Sequence, residues 1–158
     1  MRLKKYKKKI LLISTTSIFF ETFLLKIISI LQDKYDVSLL CNIEKKSKKL
    51  IFFVRRKNIK IYHFPIERKL NIIGDLKIFF NLLKFFRKNN KFDLYISFTP
   101  KAGFITSLIF YILKIKNKIH YFTGQVWSNM EGLNYFFYKL IDFFILKTSK
   151  FILTDSNG

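Results

Sequence analysis

Apolar residues along the chain fall into two alternating kinds of segment. Short runs rich in β-branched and aromatic residues predict strands at residues 10–13, 37–40, 60–64, 94–98, 119–122 and 151–154. The stretches between them carry apolar residues three and four positions apart, which is the spacing of one helix face. They predict helices over residues 21–32, 75–88, 103–114 and 133–147.

The predicted strands are continuous apolar runs, which indicates a sheet covered on both faces. Their alternation with helices indicates βαβ units and a parallel sheet. Because crossovers between parallel strands are right-handed, we expect an α/β fold. Specifically, we expect a doubly wound Rossmann-like parallel sheet with helices on both faces and the strand order 3-2-1-4-5-6. Residues 1–158 are expected to form one domain, since no repeat or flexible linker is visible.

Three stretches carry more detailed expectations. Residues 38–58 fit a strand, a charged loop and a short further element. Asp75 is expected to open the helix over residues 75–88, and Arg87 and Lys88 to close it, as the helix dipole favours. Residues 103–114 are almost wholly apolar and predict a helix that is buried on most of its surface.

The chain carries a formal net charge of +20, and its lysines outnumber its arginines 25 to 5. One explanation of this charge is a polyanionic partner. The other is composition alone, because 25 Lys, 23 Ile, 20 Phe and 10 Asn, all encoded by A- and T-rich codons, make up about half of the chain. The scarcity of arginine, which reads bases through its planar fork, argues against sequence-specific DNA binding.

Targeting signals and metal-binding patterns are weak in this sequence. The basic start and apolar residues 10–20 resemble a signal peptide, but no small-residue cleavage site follows. The longest uncharged run, residues 102–113, falls short of the roughly 20 residues that span a bilayer. The single cysteine, Cys41, follows an apolar run and is expected to be a buried thiol in a cytoplasmic protein. No zinc-ligand spacing is present, so we expect no metal and no cofactor.

Candidate chemistry lies where predicted strands end, because open parallel sheets bind ligands beyond the carboxyl ends of their strands. Ser14, Thr15 and Thr16 follow the first strand and lead into a helix. The glycine patterns of dinucleotide-binding and P-loop proteins are missing there, which disfavours NAD and P-loop ATP chemistry. The hydroxyls are expected either to bind a phosphate or sugar or to cap the helix.

A second candidate turn follows the fourth strand. Thr99 has the character of a helix N-cap and Pro100 that of a first helical residue. Lys101 would place a cation beside free helix amides, which favours anions. Gly103, after Ala102, would allow backbone or ligand to approach closely.

The third candidate turn follows the fifth strand. Gly124 releases the chain there, and Gln125 and Trp127 offer amide and aromatic contacts, although Trp127 also fits a simple loop anchor. His63 and His120 lie inside predicted strands and are expected to be structural. No catalytic constellation is visible. The predicted substrate-binding residues are Ser14, Thr15, Thr16, Thr99, Lys101, Gly103, Gly124, Gln125 and Trp127.

These turns carry a resemblance to a known family. The turn at residues 99–103, the strand end and loop at residues 121–125 and the strand end Asp155-Ser156 resemble the N-terminal domain of family-4 glycosyltransferases of the GT-B fold. The resemblance implies one half of a two-domain enzyme that uses a nucleotide-sugar donor, without a metal, and a lipid-linked or glycan acceptor. It also implies that most of the donor site, with its acidic motif, belongs to a C-terminal domain beyond Gly158.

The charge pattern adds an expected location and a competing function. Arg2 and Lys4 belong to a basic cluster that ends at Lys9, and residues 75–88 form a helix with a basic stripe. Both could hold the chain on the anionic inner face of the cell membrane. The alternative is a non-enzymatic basic module that binds membranes or polyanions. That module needs exposed aromatic residues in a basic groove, whereas the helical spacing places most aromatic residues in the core.

Overall fold

The computed structural model describes residues 7–68, 71–89, 91–124 and 126–154, and they form an α/β fold around one parallel sheet. The six strands lie in the order β3-β2-β1-β4-β5-β6, which confirms the predicted doubly wound topology. The strands are β1 Lys9–Thr16, β2 Asp36–Asn42, β3 Lys60–His63, β4 Leu94–Ser97, β5 Lys118–Phe122 and β6 Phe151–Thr154.

Six α-helices connect the strands. They are α1 Ser17–Phe19, α2 Leu25–Lys34, α3 Lys48–Arg56, α4 Ile72–Lys88, α5 Pro100–Ile112 and α6 Gly132–Thr148. A π-helical segment, Phe20–Leu24, joins α1 to α2, and a 3-10 turn, Val126–Asn129, precedes α6.

Apolar side chains from alternate positions of the strands fill two cores, one on each face of the sheet. Ile10 and Leu12 face α2 and α3, while Leu11 and Ile13 face α4 and α5. The helix α6 packs beside α5, and the ring centres of Phe104 and Phe144 are 5.9 Å apart there. Because both faces are covered, the sequence of β1 is apolar at consecutive positions, as predicted.

The structure corrects several predicted boundaries. The helix predicted over residues 21–32 begins directly after β1 and continues through the π-helical segment to Lys34. Asp75 does not open α4, because Asn71 is its N-cap and accepts a hydrogen bond from the Gly74 amide at 3.1 Å. Asp75 instead lies in the first turn, where its charge still favours the positive end of the helix. Residues 38–58 contain most of β2, a loop and α3.

The structure confirms three expectations about burial. Cys41 is fully buried, and burial together with the charge of Glu44 raises the pKa of its thiol to about 12. Most of α5 is buried, as expected. Most aromatic residues are buried or half-buried, as the helical spacing predicted, although Phe52 and Phe136 are each 68% exposed. Within the described ranges, no helix has the length and apolar character needed to span a membrane.

Candidate functional site

The candidate site lies where the strand order reverses, between β1 and β4 at the carboxyl edge of the sheet. Thr15 is the penultimate residue of β1 on one side of this position, and Thr99 follows β4 on the other. Their hydroxyl oxygens are 2.6 Å apart, and the Thr15 amide donates to Thr99 Oγ1 at 2.9 Å. Two of the predicted site residues therefore meet at the crevice that ligands use in folds of this kind.

The first loop does not cap its helix with a hydroxyl. Thr16 stands at the N-cap position without a side-chain cap, and its Oγ1 accepts from the Arg68 guanidinium at 3.3 Å. Ser17 Oγ lies 2.6 Å from Ser47 Oγ and accepts from the Glu44 amide. The sequence left two roles open for these hydroxyls, ligand binding or helix capping. The Thr16 hydroxyl does not cap the helix, because it accepts a hydrogen bond from Arg68 instead.

Ser14 is buried at the end of β1, and its Oγ has no hydrogen-bond partner among the described residues. A buried hydroxyl without a partner costs free energy. It marks the end of β1 as a place that a small polar group could satisfy. The carboxylate of Glu21, which follows β1 in the chain, is used structurally, because it accepts from the Leu50 amide in the first turn of α3.

Arg68 is a functional candidate that the sequence did not single out. It follows β3, is exposed, and brings a guanidinium to the end of β1. The sequence does contain a signal, because arginine is rare in this chain and Arg68 lies in a loop at the carboxyl edge. A guanidinium beside hydroxyls is suited to phosphate or sugar oxygens.

The turn after β4 has the predicted backbone but different side-chain contacts. Thr99 is the N-cap residue and Pro100 begins α5, yet the Thr99 hydroxyl makes no cap because it pairs with Thr15. Lys101 forms an ion pair of 2.7 Å with Asp75, which joins the first turns of α5 and α4. The cation expected beside free amides is therefore neutralised in part by a carboxylate.

Gly103 allows a close approach, but the group that approaches is a side chain of the same protein. A Cβ at this position would lie 2.5 Å from His120 Cε1 and 2.7 Å from His120 Nδ1. Gly103 is buried, so its predicted role in binding a ligand has no exposed surface to support it. The glycine is required for packing α5 against β5.

The loop after β5 separates its predicted residues. Gly124 has a φ of 111° with open space around it, a conformation that favours glycine. Gln125 lies outside the described residues. Trp127 Nε1 donates to Asp142 on α6 at 2.8 Å, and its ring meets Tyr135 edge-on at 5.5 Å. These contacts match the interpretation of Trp127 as a loop anchor.

A buried polar cluster lies beneath the candidate site, between β4, β5 and α5. His120 Nδ1 is 2.8 Å from Ser97 Oγ, while its Nε2 has no partner among the described residues. Lys118 is fully buried and donates to Ser107 Oγ and to the Gly103 carbonyl. Burial lowers the pKa of Lys118 to about 7, and burial with the nearby Lys118 charge lowers the pKa of His120 to about 3.

The expectation that His120 is structural is consistent with this burial, whereas the burial of Lys118 was not predicted. Lysines alternate with other residues at positions 114, 116 and 118, a pattern typical of a solvated edge. His63, the other histidine, accepts from the Ile43 amide at 3.0 Å and is likewise used in a loop contact. Across the described parts of the chain, no group of three metal-ligating side chains is close enough to hold a metal ion.

Solved structures share this fold. MurG of Acinetobacter baumannii matches with a TM-score of 0.58 and 18% identity, over 93% of this chain and 40% of its own. A UDP-N-acetylglucosamine 2-epimerase matches with a TM-score of 0.67 and 13% identity, over 96% of this chain and 43% of its own. A putative UDP-N-acetylglucosamine 2-epimerase from Listeria monocytogenes matches with a TM-score of 0.64 and 11% identity, over 96% of this chain and 40% of its own.

These likenesses show a fold of the GT-B type, with this chain corresponding to one Rossmann-like domain. The chain spans less than half the length of each of these three structures. No protein-family model matches the sequence, and no curated protein matches it. At identities of 11–18%, the comparison establishes the fold and no more.

Proposed function

We propose that this chain is the acceptor-side half of a glycosyltransferase that moves a sugar from a nucleotide-sugar donor to a lipid-linked or surface-polysaccharide acceptor. The observation that carries the proposal is the meeting of Thr15 and Thr99 at the point where the strand order reverses. Ligands of open α/β sheets bind in the crevice beyond this point. The GT-B type fold and the resemblance of residues 99–103 to family-4 glycosyltransferases both support it.

The polar groups around this crevice suit a sugar or a phosphate. Thr16 carries a hydroxyl beside the Arg68 guanidinium, and Ser14 contributes a buried hydroxyl that lacks a partner among the described residues. Gly124 follows β5, the strand next to β4, and has open space around it, so a ligand can approach the backbone there. A guanidinium and several hydroxyls can bind and orient an oxyanion or a sugar ring without a metal ion. We therefore assign these residues to substrate binding, and the nucleotide sugar is a substrate rather than a cofactor.

In this proposal the chain alone transfers no sugar. The three similar structures are more than twice as long as the part that this chain matches. The resemblance to the family places most donor contacts and the acidic motif on a second domain. Measurable turnover by the purified 158-residue chain with a sugar nucleotide would contradict the two-domain interpretation.

We also propose that the protein acts at the inner face of the cell membrane as a peripheral protein. The basic cluster from Arg2 to Lys9 and the lysines of α4 would attract anionic lipid, at about 1 kcal/mol for each cation near the surface. Leu76 and Phe80 of α4 are exposed beside those lysines. Docking would concentrate the enzyme beside a lipid-linked acceptor.

A non-enzymatic polyanion-binding module is the second candidate function. It is favoured by exposed aromatic residues, such as Phe52 and Phe80, on a chain of net charge +20. Stacked bases need such rings inside a basic groove. The two functions can be distinguished by Thr15 and Thr99. In the glycosyltransferase, binding of a sugar ligand depends on these two residues, whereas in the polyanion-binding module it does not.

Saturation-transfer NMR with a short-chain polyprenyl-diphosphate-linked monosaccharide tests the proposal. We expect Thr15→Val and Thr99→Val each to weaken this binding about fivefold, the equivalent of roughly 1 kcal/mol for a lost hydrogen bond. Thr148→Val is the matched control, because that hydroxyl donates to the Phe144 and Ile145 carbonyls of its own helix, α6. It should leave the affinity unchanged.

Single-stranded oligonucleotide is the competing ligand in the same experiment. If the oligonucleotide binds more tightly than the lipid-linked sugar, and the threonine variants do not weaken the sugar's binding, the polyanion-binding module is the correct function. Loss of sugar binding in the threonine variants, with Thr148→Val unaffected, supports the acceptor site.

A further inference from the structure

The outward surface of α6 carries large apolar side chains along most of the helix. The helix turns Ile141 and Ile145 inward, where both are buried beside α5 and β5. Six further apolar side chains of the helix are exposed, and we name this set the α6 apolar face: Leu133, Phe136, Phe137, Leu140, Phe143 and Leu146. Spacings of three and four residues place its main members in one strip along the helix.

This strip is unlike the usual surface of a helix in a globular protein. A helix on a sheet normally buries one stripe and carries charged residues opposite it. In α6 the surface opposite Ile145 contains Phe136 and Leu140, which are 68% and 66% exposed. A continuous apolar surface of this kind is characteristic of a binding face.

Two exposed lysines accompany the face. Lys147 Nζ lies 4.9 Å from the centre of the Phe143 ring, and Lys139 Nζ lies 5.2 Å from that of Tyr135. The acidic residue within α6, Asp142, accepts a hydrogen bond from Trp127. The face therefore combines apolar side chains with lysines that can extend their ammonium groups to its border.

Charge complementarity decides which occupant fits. A second copy of the chain, paired about a two-fold axis, would bring the same lysines of two molecules together, each molecule carrying a net charge of +20. An anionic lipid surface offers apolar chains to Phe136 and Leu140, and phosphates to Lys139 and Lys147, at the same time. The lipid surface is the occupant that satisfies both kinds of residue.

We propose that α6 lies in the plane of an anionic bilayer, with its apolar face between the lipid headgroups and Lys139 and Lys147 at their phosphates. The inference rests on the peripheral membrane location in the proposed function and adds the surface that makes the contact. Because α6 begins just after the loop that follows β5, docking would hold the carboxyl edge of the sheet close to the membrane. A lipid-linked acceptor could then reach the crevice between β1 and β4.

Co-sedimentation with vesicles tests this surface. The variant Phe136→Gln/Leu140→Gln/Phe143→Gln keeps the lysines and replaces three of the six residues of the α6 apolar face. We expect it to lower binding to phosphatidylcholine vesicles that contain phosphatidylglycerol by about tenfold or more. Added salt should weaken wild-type binding, and vesicles of phosphatidylcholine alone should bind poorly.

The matched control is Phe23→Gln/Ile27→Gln/Phe52→Gln. It removes two phenylalanines and one aliphatic residue with comparable exposure, on the opposite side of the sheet. It should bind vesicles like the wild type. If the α6 variant loses its fold by circular dichroism, Lys139→Glu/Lys147→Glu replaces it, since it keeps the apolar strip and should lose binding to anionic vesicles.

The outcomes separate this inference from the proposed function. If the wild-type chain does not bind anionic vesicles, both the inference and the proposed peripheral location are wrong. The acceptor site is tested independently by the NMR experiment. Wild-type binding that is abolished by replacing lysines 4–9 with glutamine, but unchanged in the α6 variants, overturns the inference alone. A dimer in sedimentation velocity that the α6 variant dissociates would make a second copy the occupant and would also overturn it.

Discussion

The hydroxyl oxygens of Thr15 and Thr99 lie 2.6 Å apart, although 84 residues separate them in the chain. Thr15 is the penultimate residue of β1 and Thr99 follows β4. These two strands are neighbours only because the crossover through α4 returns the chain to the other side of β1. The pair therefore joins the two halves of the sheet at the candidate site. The two hydroxyls bond to each other, and the Thr15 amide also donates to Thr99 Oγ1. These bonds hold both loops in place.

A double-mutant cycle measures this pair. Thr15→Val and Thr99→Val should each lower the free energy of unfolding by about 1 kcal/mol, because each leaves a partner without its hydrogen bond. The double variant should cost clearly less than the sum of the two, since the second substitution removes a partner that is already lost. Urea denaturation gives the three values. Strictly additive losses would show that the two hydroxyls do not interact.

Lys118 should make the stability of the fold depend on pH. Its pKa is lowered by burial from 10.5 to about 7 in the folded state, so the unfolded chain binds more protons between these values. Stability should therefore rise as the pH increases from about 7 to about 10, by up to about 1.4 kcal/mol per pH unit. Below pH 7 both states are protonated and this contribution is constant.

Replacing the lysine isolates that contribution. Urea denaturation at several pH values should show the rise in the wild type and its loss in Lys118→Met. Lys116→Met is the control, because Lys116 is exposed two residues earlier, and it should keep the wild-type dependence. Parallel pH profiles for the wild type and Lys118→Met would contradict the burial of the ammonium group.

Gly103→Ala should destabilise the fold by about 1–3 kcal/mol, the usual cost of forcing a group into a filled core. The added Cβ would lie 2.5 Å from His120 Cε1, so the ring or the helix must move. In the background of His120→Ala, which removes the ring, the same substitution should cost much less. Thermal unfolding of the four proteins tests this, and an equal cost in both backgrounds would show that His120 is not the obstacle.

The strand order and the position of the ligand-binding edge were predictable from the sequence. Runs such as residues 10–13 are apolar at consecutive positions because a doubly covered sheet buries both sides of a strand. Right-handed crossovers then leave few topologies. The carboxyl edge follows from the topology, which is why Thr15 and Thr99 could be singled out before their contact was known.

The tertiary structure decided which partners the side chains have. Lys101 forms an ion pair with Asp75, and the His120 ring occupies the space beside Gly103. Both contacts arise because the packing of α5 against α4 and β5 brings together residues that are distant in sequence. Periodicity assigns a residue to a face, but it does not show which side chain occupies the facing position. Arg68 was missed for the same reason, since its contact with Thr16 spans 52 residues.

The burial of individual side chains also depended on the tertiary structure rather than on the sequence pattern. The alternation of lysines at positions 114, 116 and 118 indicates solvent, yet α5 covers the face of β5 that carries Lys118. Conversely, the spacing of Phe136 and Phe143 fits a core, and both are exposed because α6 has another element on only one side. The sequence by itself determined the elements and their order, since these depend on local periodicity and chain handedness. Only the tertiary structure decided which apolar and charged groups meet, because burial depends on what the neighbouring elements cover.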